Sequence, residues 1–382
     1  MSLQVKETGV REREDVSLDG EAHTRNPNEA DSGSGTRYLG SKVRVTRAIL
    51  DLVGAPRPGS VFVDAFAGTG VVAREAALRG WPVRLNDHLY CACTMAGANV
   101  LSEAHVPFAA FGSYQDALRD LSAAPAREGF IWREYSPASA GHAPAERRYF
   151  TEANAAAIDG ARARIATWRN EEVITNHEET LLIADLLLAA NRVANTAGTY
   201  GCFLRRWMPN AIQPLTLAPR MLLATQRAVE MLNGDVTAVP ASPADVVYFD
   251  PPYTKRQYAA YYHVLETIAH GDTPEVAGVT GLRPWRERAS DFCYRTRALK
   301  AIVGIIGATP AARVFLSYSS EGHVDLGHLR GELAGMGDVA VHSLGPVGRY
   351  APNEQARRGG ASVVEYLVEL QKRDATPVRE QP

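Results

Sequence analysis

A doubly wound α/β sheet, Rossmann-like in pattern and carrying an inserted, mainly helical region, is predicted by three observations. Short β-branched and aromatic runs at Val61-Phe62-Val63 and Asp245-Val246-Val247-Tyr248-Phe249 read as buried strands. The first leads into a glycine turn, Asp64-Ala65-Phe66-Ala67-Gly68-Thr69-Gly70, and then into a helical stretch, which is the start of a parallel strand-helix-strand unit. Segments with helical spacing alternate with further strand-like segments to near the end of the chain, the pattern that winds helices over both faces of one sheet.

Each element follows in chain order. Residues 1–35 are polar, mixed in charge and end in Asp31-Ser32-Gly33-Ser34-Gly35, and are expected to be a disordered leader. Residues 36–120 are expected to form one half of the sheet domain. Within them Tyr38–Leu52 reads as a helix, Val71–Leu78 as the helix after the glycine turn, and Trp81-Pro82-Val83-Arg84-Leu85 as a second strand ending at Asn86-Asp87. Residues 121–235 read as the insertion, with helical spacing at Asp159–Trp168 and at the unusually apolar Glu179–Asn191, which is expected to be a core element. Residues 236–372 return to the sheet: the strand ending at Asp250, a helix Tyr258–His270, a strand Ala312–Tyr318, and two strands near Val339–Val341 and Val363–Val368 that are close enough to form an antiparallel hairpin. Residues 373–382 are a tail.

The chain of 382 residues, 46% hydrophobic and 22% charged, is long enough to bury one large core plus an insertion. A formal net charge of −2 excludes a global pull toward polyphosphate, so nucleic-acid binding would need a local patch. Candidates are Arg205-Arg206, Lys255-Arg256, and the stretch holding Arg283, Arg286, Arg288, Arg295, Arg297 and Lys300. Cys91, Cys93, Cys202 and Cys293 have neither zinc spacing nor a disulfide framework; no metal is expected. No secretory signal or membrane-length apolar run is visible, so a cytoplasmic protein without a membrane partner is expected.

The chemistry lies at two strand ends. Asp250-Pro251-Pro252-Tyr253 stops its strand abruptly, because proline neither donates to a ladder nor lets the preceding residue enter a helix. The Asp250 carboxylate and the Pro251 carbonyl then offer two acceptors and no donor. An exocyclic amine offers two N–H donors, and Tyr253 can lie against the face of the base that bears it. Two acceptors drawing on its hydrogens favour a pyramidal nitrogen able to attack a methyl sulfonium. Upstream, Gly68 and Gly70 permit close approach to a ligand, and Asp87 follows at the distance suited to ribose hydroxyls. The turn alone leaves NAD, FAD and S-adenosylmethionine open; its pairing with Asp-Pro-Pro-Tyr selects S-adenosylmethionine, since that tetrapeptide has no role in hydride transfer. Asp235, in Asn233-Gly234-Asp235, is a candidate acceptor for the cofactor's adenine amine or else an ordinary turn residue. His263 and Glu266, three apart on one helix face, read as structural.

Four segments resemble the DNA amino-methyltransferases with the α order of motifs, which include the Dam-like adenine enzymes and the modification enzymes of type IIS restriction systems. They are Arg37-Tyr38-Leu39-Gly40-Ser41-Lys42, Asp64–Gly70, Arg192–Gly201, and Asp250–Tyr253 with its continuation to Ile268. The resemblance implies a methyltransferase sheet whose insertion recognises the target. It implies S-adenosylmethionine held by Tyr38, Lys42, Asp64, Phe66, Gly68, Gly70, Asp87 and Asp235, with Lys42 paired to the cofactor carboxylate. Asp250, Pro251 and Tyr253 would be catalytic. Asn195, Thr196 and Tyr200 would face DNA near the flipped base, alongside Arg205, Lys255 and Arg256. Double-stranded DNA is the expected partner, flipping of adenine and direct displacement at its N6 the expected course, a restriction or defence system the possible companion, and the nucleoid the expected place of work. Cytosine-N4 methylation, methylation of RNA adenine or a protein amide, and a cofactor-binding regulator without turnover are the rival readings.

Overall fold

The computed structural model describes residues 42–347 and 363–373. The leader, the tail and Tyr38 lie outside the described residues.

Strands are β1 (Phe62–Asp64), β2 (Val83–Asp87), β3 (Val229–Asn233), β4 (Val246–Phe249), β5 (Arg313–Ser319), β6 (Gly337–Val347) and β7 (Val363–Lys372). They form one sheet in the order β3-β2-β1-β4-β5-β7-β6. β3, β2, β1, β4 and β5 run parallel, whereas β7 is antiparallel to β5 and to β6. Helices are α1 (Thr46–Val53), α2 (Val71–Leu78), α3 (Tyr90–Val100), α4 (Tyr114–Ser122), α5 (Phe130–Tyr135), α6 (Glu152–Asn170), α7 (Asn176–Arg192), α8 (Tyr258–Tyr261), α9 (His263–His270), α10 (Ala298–Ala308) and α11 (Leu326–Ala334). The α/β expectation holds, including the terminal hairpin. Among the described residues no helix is long and apolar enough to cross a membrane.

β1 and β4 lie side by side at the centre, with Phe62 opposite Val246 and Asp64 opposite Tyr248. All residues of both strands are buried, which is why they read as unbroken apolar runs. From β1 the chain proceeds outward to β2 and β3; from β4 it proceeds the other way to β5. Strand order therefore reverses between β1 and β4, and a crevice opens at their carboxyl ends, where α/β sheets bind ligands.

The insertion has no core of its own. Ile158 and Ile165 of α6 and Leu181, Leu182 and Leu186 of α7 pack in one buried cluster with Met95 of α3 and Leu265 and Ile268 of α9. Helix α7 is the expected apolar core element. Its start is fixed by a capping box, with Thr175 Oγ1 accepting from Glu178 N–H and the Glu178 carboxylate accepting from Thr175 N–H.

Four expectations are corrected. The first described helix begins at Thr46, and Lys42–Val45 form a turn before it in which the Lys42 carbonyl accepts from Val45 N–H, Thr46 N–H and Thr46 Oγ1; the part of the expected helix before residue 42 lies outside the described residues. The insertion ends before residue 229, since β3 is a strand of the sheet; its edge position and the exposed Glu230, paired with Arg84 at 2.6 Å, hide the apolar signal. The helix expected over Tyr258–His270 is two helices, broken at Tyr262 (φ −115°, ψ 18°). Helix α10 stands in the stretch read for its basic residues, and its run Ala-Ile-Val-Gly-Ile-Ile buries Ile302, Ile305 and Ile306 against the sheet.

Candidate active site

The crevice at the β1–β4 switch point is a cleft of about 710 Å³. It is lined by the β1 turn, the ends of β2 and β4, the 234–237 loop, Asp250–Tyr253, and a wall formed by residues 288–292 and α10. Most of the residues singled out in the sequence meet here: Lys42, Asp64, Phe66, Gly68, Asp87, Asp235, Asp250, Pro251 and Tyr253 all line it.

Gly68 and Gly70 hold positive φ of 54° and 75°. A Cβ on Gly70 would stand 2.6 Å from the Ala96 Cα of α3, so this turn is closed to any larger residue by both conformation and space. Gly68 N–H donates to Asp87 Oδ2 at 2.9 Å, and Leu89 N–H donates to Asp87 Oδ1 at 2.9 Å. Each oxygen keeps a lone pair for a further donor. Burial pushes the Asp87 carboxyl up to about 6, against the pull of these two amides. Asn86 Nδ2 donates to Ala65 O at 3.2 Å and to Gly234 O at 3.3 Å, tying the β1 turn to the loop that carries Asp235. Asp235 is exposed and caps a short turn, accepting from Thr237 N–H at 2.8 Å.

Asp64 is buried, and its Oδ1 has no hydrogen-bond partner. Burial, then the nearby Asp250 and Asp87 carboxylates, hold its pKa well above the ordinary range. Phe66 meets Phe292 edge-on, with ring centroids 5.2 Å apart, and this pair forms the apolar floor between the two walls.

Asp250 follows β4 directly, and Lys42 reaches it: the ammonium lies 2.8 Å from Asp250 Oδ1 and 3.7 Å from Glu365 Oε2 of β7. The ammonium is the partner of Asp250 Oδ1. Burial opposes the Lys42 charge, but Asp250, Tyr253 and Glu365 around it hold its pKa well above the ordinary lysine value. For Asp250 burial is the larger influence and raises the carboxyl despite Lys42. The Tyr253 ring is 5.2 Å from the same ammonium and edge-on to Tyr318, and its hydroxyl donates to Glu365 Oε1 at 3.2 Å. Lys42 thus stands against the Asp250 carboxylate.

The expected DNA-facing trio is corrected. Asn195, Thr196 and Tyr200 are 0%, 4% and 0% exposed. Asn195 Nδ2 donates to Arg148 O and Leu204 O, and its Oδ1 accepts from Met208 N–H at 3.0 Å, so a polar turn sequence here serves to close a loop. Tyr200 O–H donates to Asn191 Oδ1 at 3.1 Å, and the Tyr200 carbonyl accepts from Tyr149 O–H at 2.9 Å. That loop presents Arg205 and Arg206 at the surface; Lys255 and Arg256 are exposed as well. His263 and Glu266 are structural as expected. His263 Nε2 contacts the Tyr200 carbonyl at 2.9 Å, and burial lowers the ring's pKa to about 4. Glu266 accepts from Tyr90 and Cys91 N–H and pairs with Arg288 at 2.8 Å. Cys91 and Cys93 are buried in α3. Sequence reasoning missed Glu365, Phe292 and the reciprocal pairing of Gln257 with the Ser290 backbone at 3.0 and 3.3 Å; none has a local signal.

The family model described as D12 class N6 adenine-specific DNA methyltransferase matches residues 38–321. The chain is 32% identical over 298 residues to the type II methyltransferase M.NlaIII of Neisseria lactamica, covering 77% of this chain and 86% of that protein. It is 30% identical over 348 residues to the modification methylase StsI of Streptococcus sanguinis, covering 88% of this chain and 52% of that protein. It is 33% identical over 294 residues to the type II methyltransferase M.FokI of Planomicrobium okeanokoites, covering 75% and 45%. The chain thus spans about half the length of the StsI and FokI proteins. A methyl donor is implied by this kinship. The chain belongs to the family of D12 class N6 adenine-specific DNA methyltransferases.

Proposed function

We propose that this chain transfers a methyl group from S-adenosylmethionine to the exocyclic N6 of adenine in double-stranded DNA. One observation carries the reading: a carboxylate, Asp250, follows the central strand β4 beside two prolines, in the same cleft as a glycine turn pressed against α3.

The lining suits that cofactor. Asp64 offers a buried, unpartnered oxygen to an ammonium group, Asp87 keeps acceptor capacity for ribose hydroxyls, and Asp235 stands at the cleft edge for an adenine amine. Phe66 and Phe292 supply an apolar surface for a ring. When bound, S-adenosylmethionine supplies an electrophilic methyl on a sulfonium. Asp250 would accept from one N–H of the adenine amine and the Pro251 carbonyl from the other, drawing the nitrogen lone pair out of conjugation. Tyr253 would stack on a base flipped from the duplex, a step that costs a few kcal/mol. Attack by the amine nitrogen would displace a neutral thioether from the methyl, and the proton the nitrogen then loses would pass to the Asp250 carboxylate that already accepts from it, and on to solvent. No covalent enzyme intermediate is needed. Arg205, Lys255 and Arg256, all exposed, would meet phosphates. As with the similar modification methylases, the methylation would mark sites against a companion restriction activity.

Incubation with methyl-labelled cofactor and mixed-sequence duplex DNA, with RNA in a parallel reaction, followed by hydrolysis to nucleosides, tests the reading. Label in N6-methyl-2′-deoxyadenosine, absent with Asp250→Ala, is the expected result. Label in N4-methyl-2′-deoxycytidine, or in RNA but not DNA, would overturn it.

A further inference from the structure

Glu365 sits on β7, opposite Ser319 in the antiparallel ladder with β5, and reaches the active centre from the far end of the chain. It is 5% exposed, yet it neither caps a helix nor closes a loop. A buried carboxylate is costly unless paired, and its partners here are both active-site groups. Tyr253 donates its hydroxyl to Oε1 at 3.2 Å, and Oε2, which has no hydrogen-bond partner, lies 3.7 Å from the Lys42 ammonium.

The geometry points to Glu365 as a positioning residue for methyl transfer, acting through Lys42 and Tyr253; the inference rests on the adenine-methylation reading above. The Lys42 ammonium has three donors and stands between two carboxylates, 2.8 Å from Asp250 Oδ1 and 3.7 Å from Glu365 Oε2. Glu365 thereby anchors the ammonium from the far side, which fixes where Lys42 meets Asp250 and leaves the rest of the Asp250 acceptor capacity to the amine. The same carboxylate holds Tyr253 by its hydroxyl, which fixes the ring. Glu365 does not line the cleft itself, so its effect would be on the chemical step rather than on cofactor binding.

The test is a double-mutant cycle in the full chain, with Glu365→Gln, Lys42→Met and the pair, read by single-turnover methylation of duplex DNA and by calorimetric binding of S-adenosylmethionine. Glu365→Gln is expected to slow the chemical step about tenfold while cofactor affinity stays within about twofold. In the Lys42→Met background the same change is expected to cost less than about twofold, because the group it acts through is gone. An equal loss in both backgrounds, a loss confined to cofactor binding, or no loss would overturn the inference. Should Glu365→Gln lose its cooperative thermal transition, Glu365→Asp, which withdraws the charge by one methylene, is read by the same criteria. Wild type run in parallel separates the two levels: no N6-methyladenine with wild type takes down the functional reading and the inference with it, whereas wild-type activity matched by Glu365→Gln removes Glu365 alone.

Discussion

The cleft at the strand ends and the turn after α7 both bury polar side chains, under opposite conditions. In the turn, Asn195 spends its donors on Arg148 O and Leu204 O and its acceptor on Met208 N–H. In the cleft, Asp64 Oδ1 is buried without a hydrogen-bond partner, and Asp250 Oδ1 meets only the Lys42 ammonium. A satisfied buried polar group stabilises the chain that surrounds it, while an unsatisfied one costs stability. Between Asn195 and Asp64, polar satisfaction therefore separates the two regions where residue type does not, since both offer plausible candidates in the sequence.

The comparison can be broken at either side. The largest effect is expected from Asp250→Ala, which should lower methyl transfer at least about a thousandfold while cofactor binding persists, as measured by labelled turnover and by calorimetry. On the architectural side, Asn195→Ala strands two carbonyls and an amide in a buried loop and should cost about 3 kcal/mol in urea unfolding. A stable Asn195→Ala enzyme with selectively lost DNA binding would restore the DNA-facing reading of that residue.

Asp87 sharpens the comparison through pH. Its folded-state pKa is raised to about 6 from an ordinary 3.8, so its contribution to stability is complete below about 3.8 and is lost as pH rises through about 6. A hydroxyl donor favours the ionised form, and cofactor affinity should therefore rise about tenfold between pH 5 and pH 7. Asp87→Asn should flatten that dependence in calorimetric titrations. The smallest effect is expected at the surface. Replacing Arg205 and Arg206 together by Ala should reduce the slope of log affinity for DNA against log salt by about 2, with turnover at saturating DNA nearly unchanged.

What was legible in the sequence was what is local. Asp250, its two prolines and Tyr253 carry their geometry in adjacent residues, and the Gly68–Gly70 turn carries its own in two positive φ angles. Helix α7 is legible from its apolar spacing over Glu179–Asn191, while its start at Asn176 is set by a capping box just before that stretch. Asn195 misled because turn-forming and base-reading residues share one chemistry, and only burial distinguishes them. Lys42 is legible as a site residue, but its contact with Asp250 is not, since nothing near residue 42 reports a carboxylate brought in by β4. Glu365 and Phe292 left no trace because each enters the cleft through long-range pairing, of β7 with β5 and of Phe66 with Phe292. Strand β3 is hidden by its edge position, where Glu230 and Asn233 are exposed and no residue is fully buried.

The most direct measurement of the division between chemistry and architecture is urea unfolding of Asp64→Asn beside calorimetric titration of the same variant with S-adenosylmethionine. An unpartnered, desolvated carboxylate predicts stability within about 1 kcal/mol of wild type, or slightly above it, with cofactor affinity at least about tenfold weaker. Loss of several kcal/mol of stability with affinity intact would contradict it, by making Asp64 a structural residue of the β1 turn.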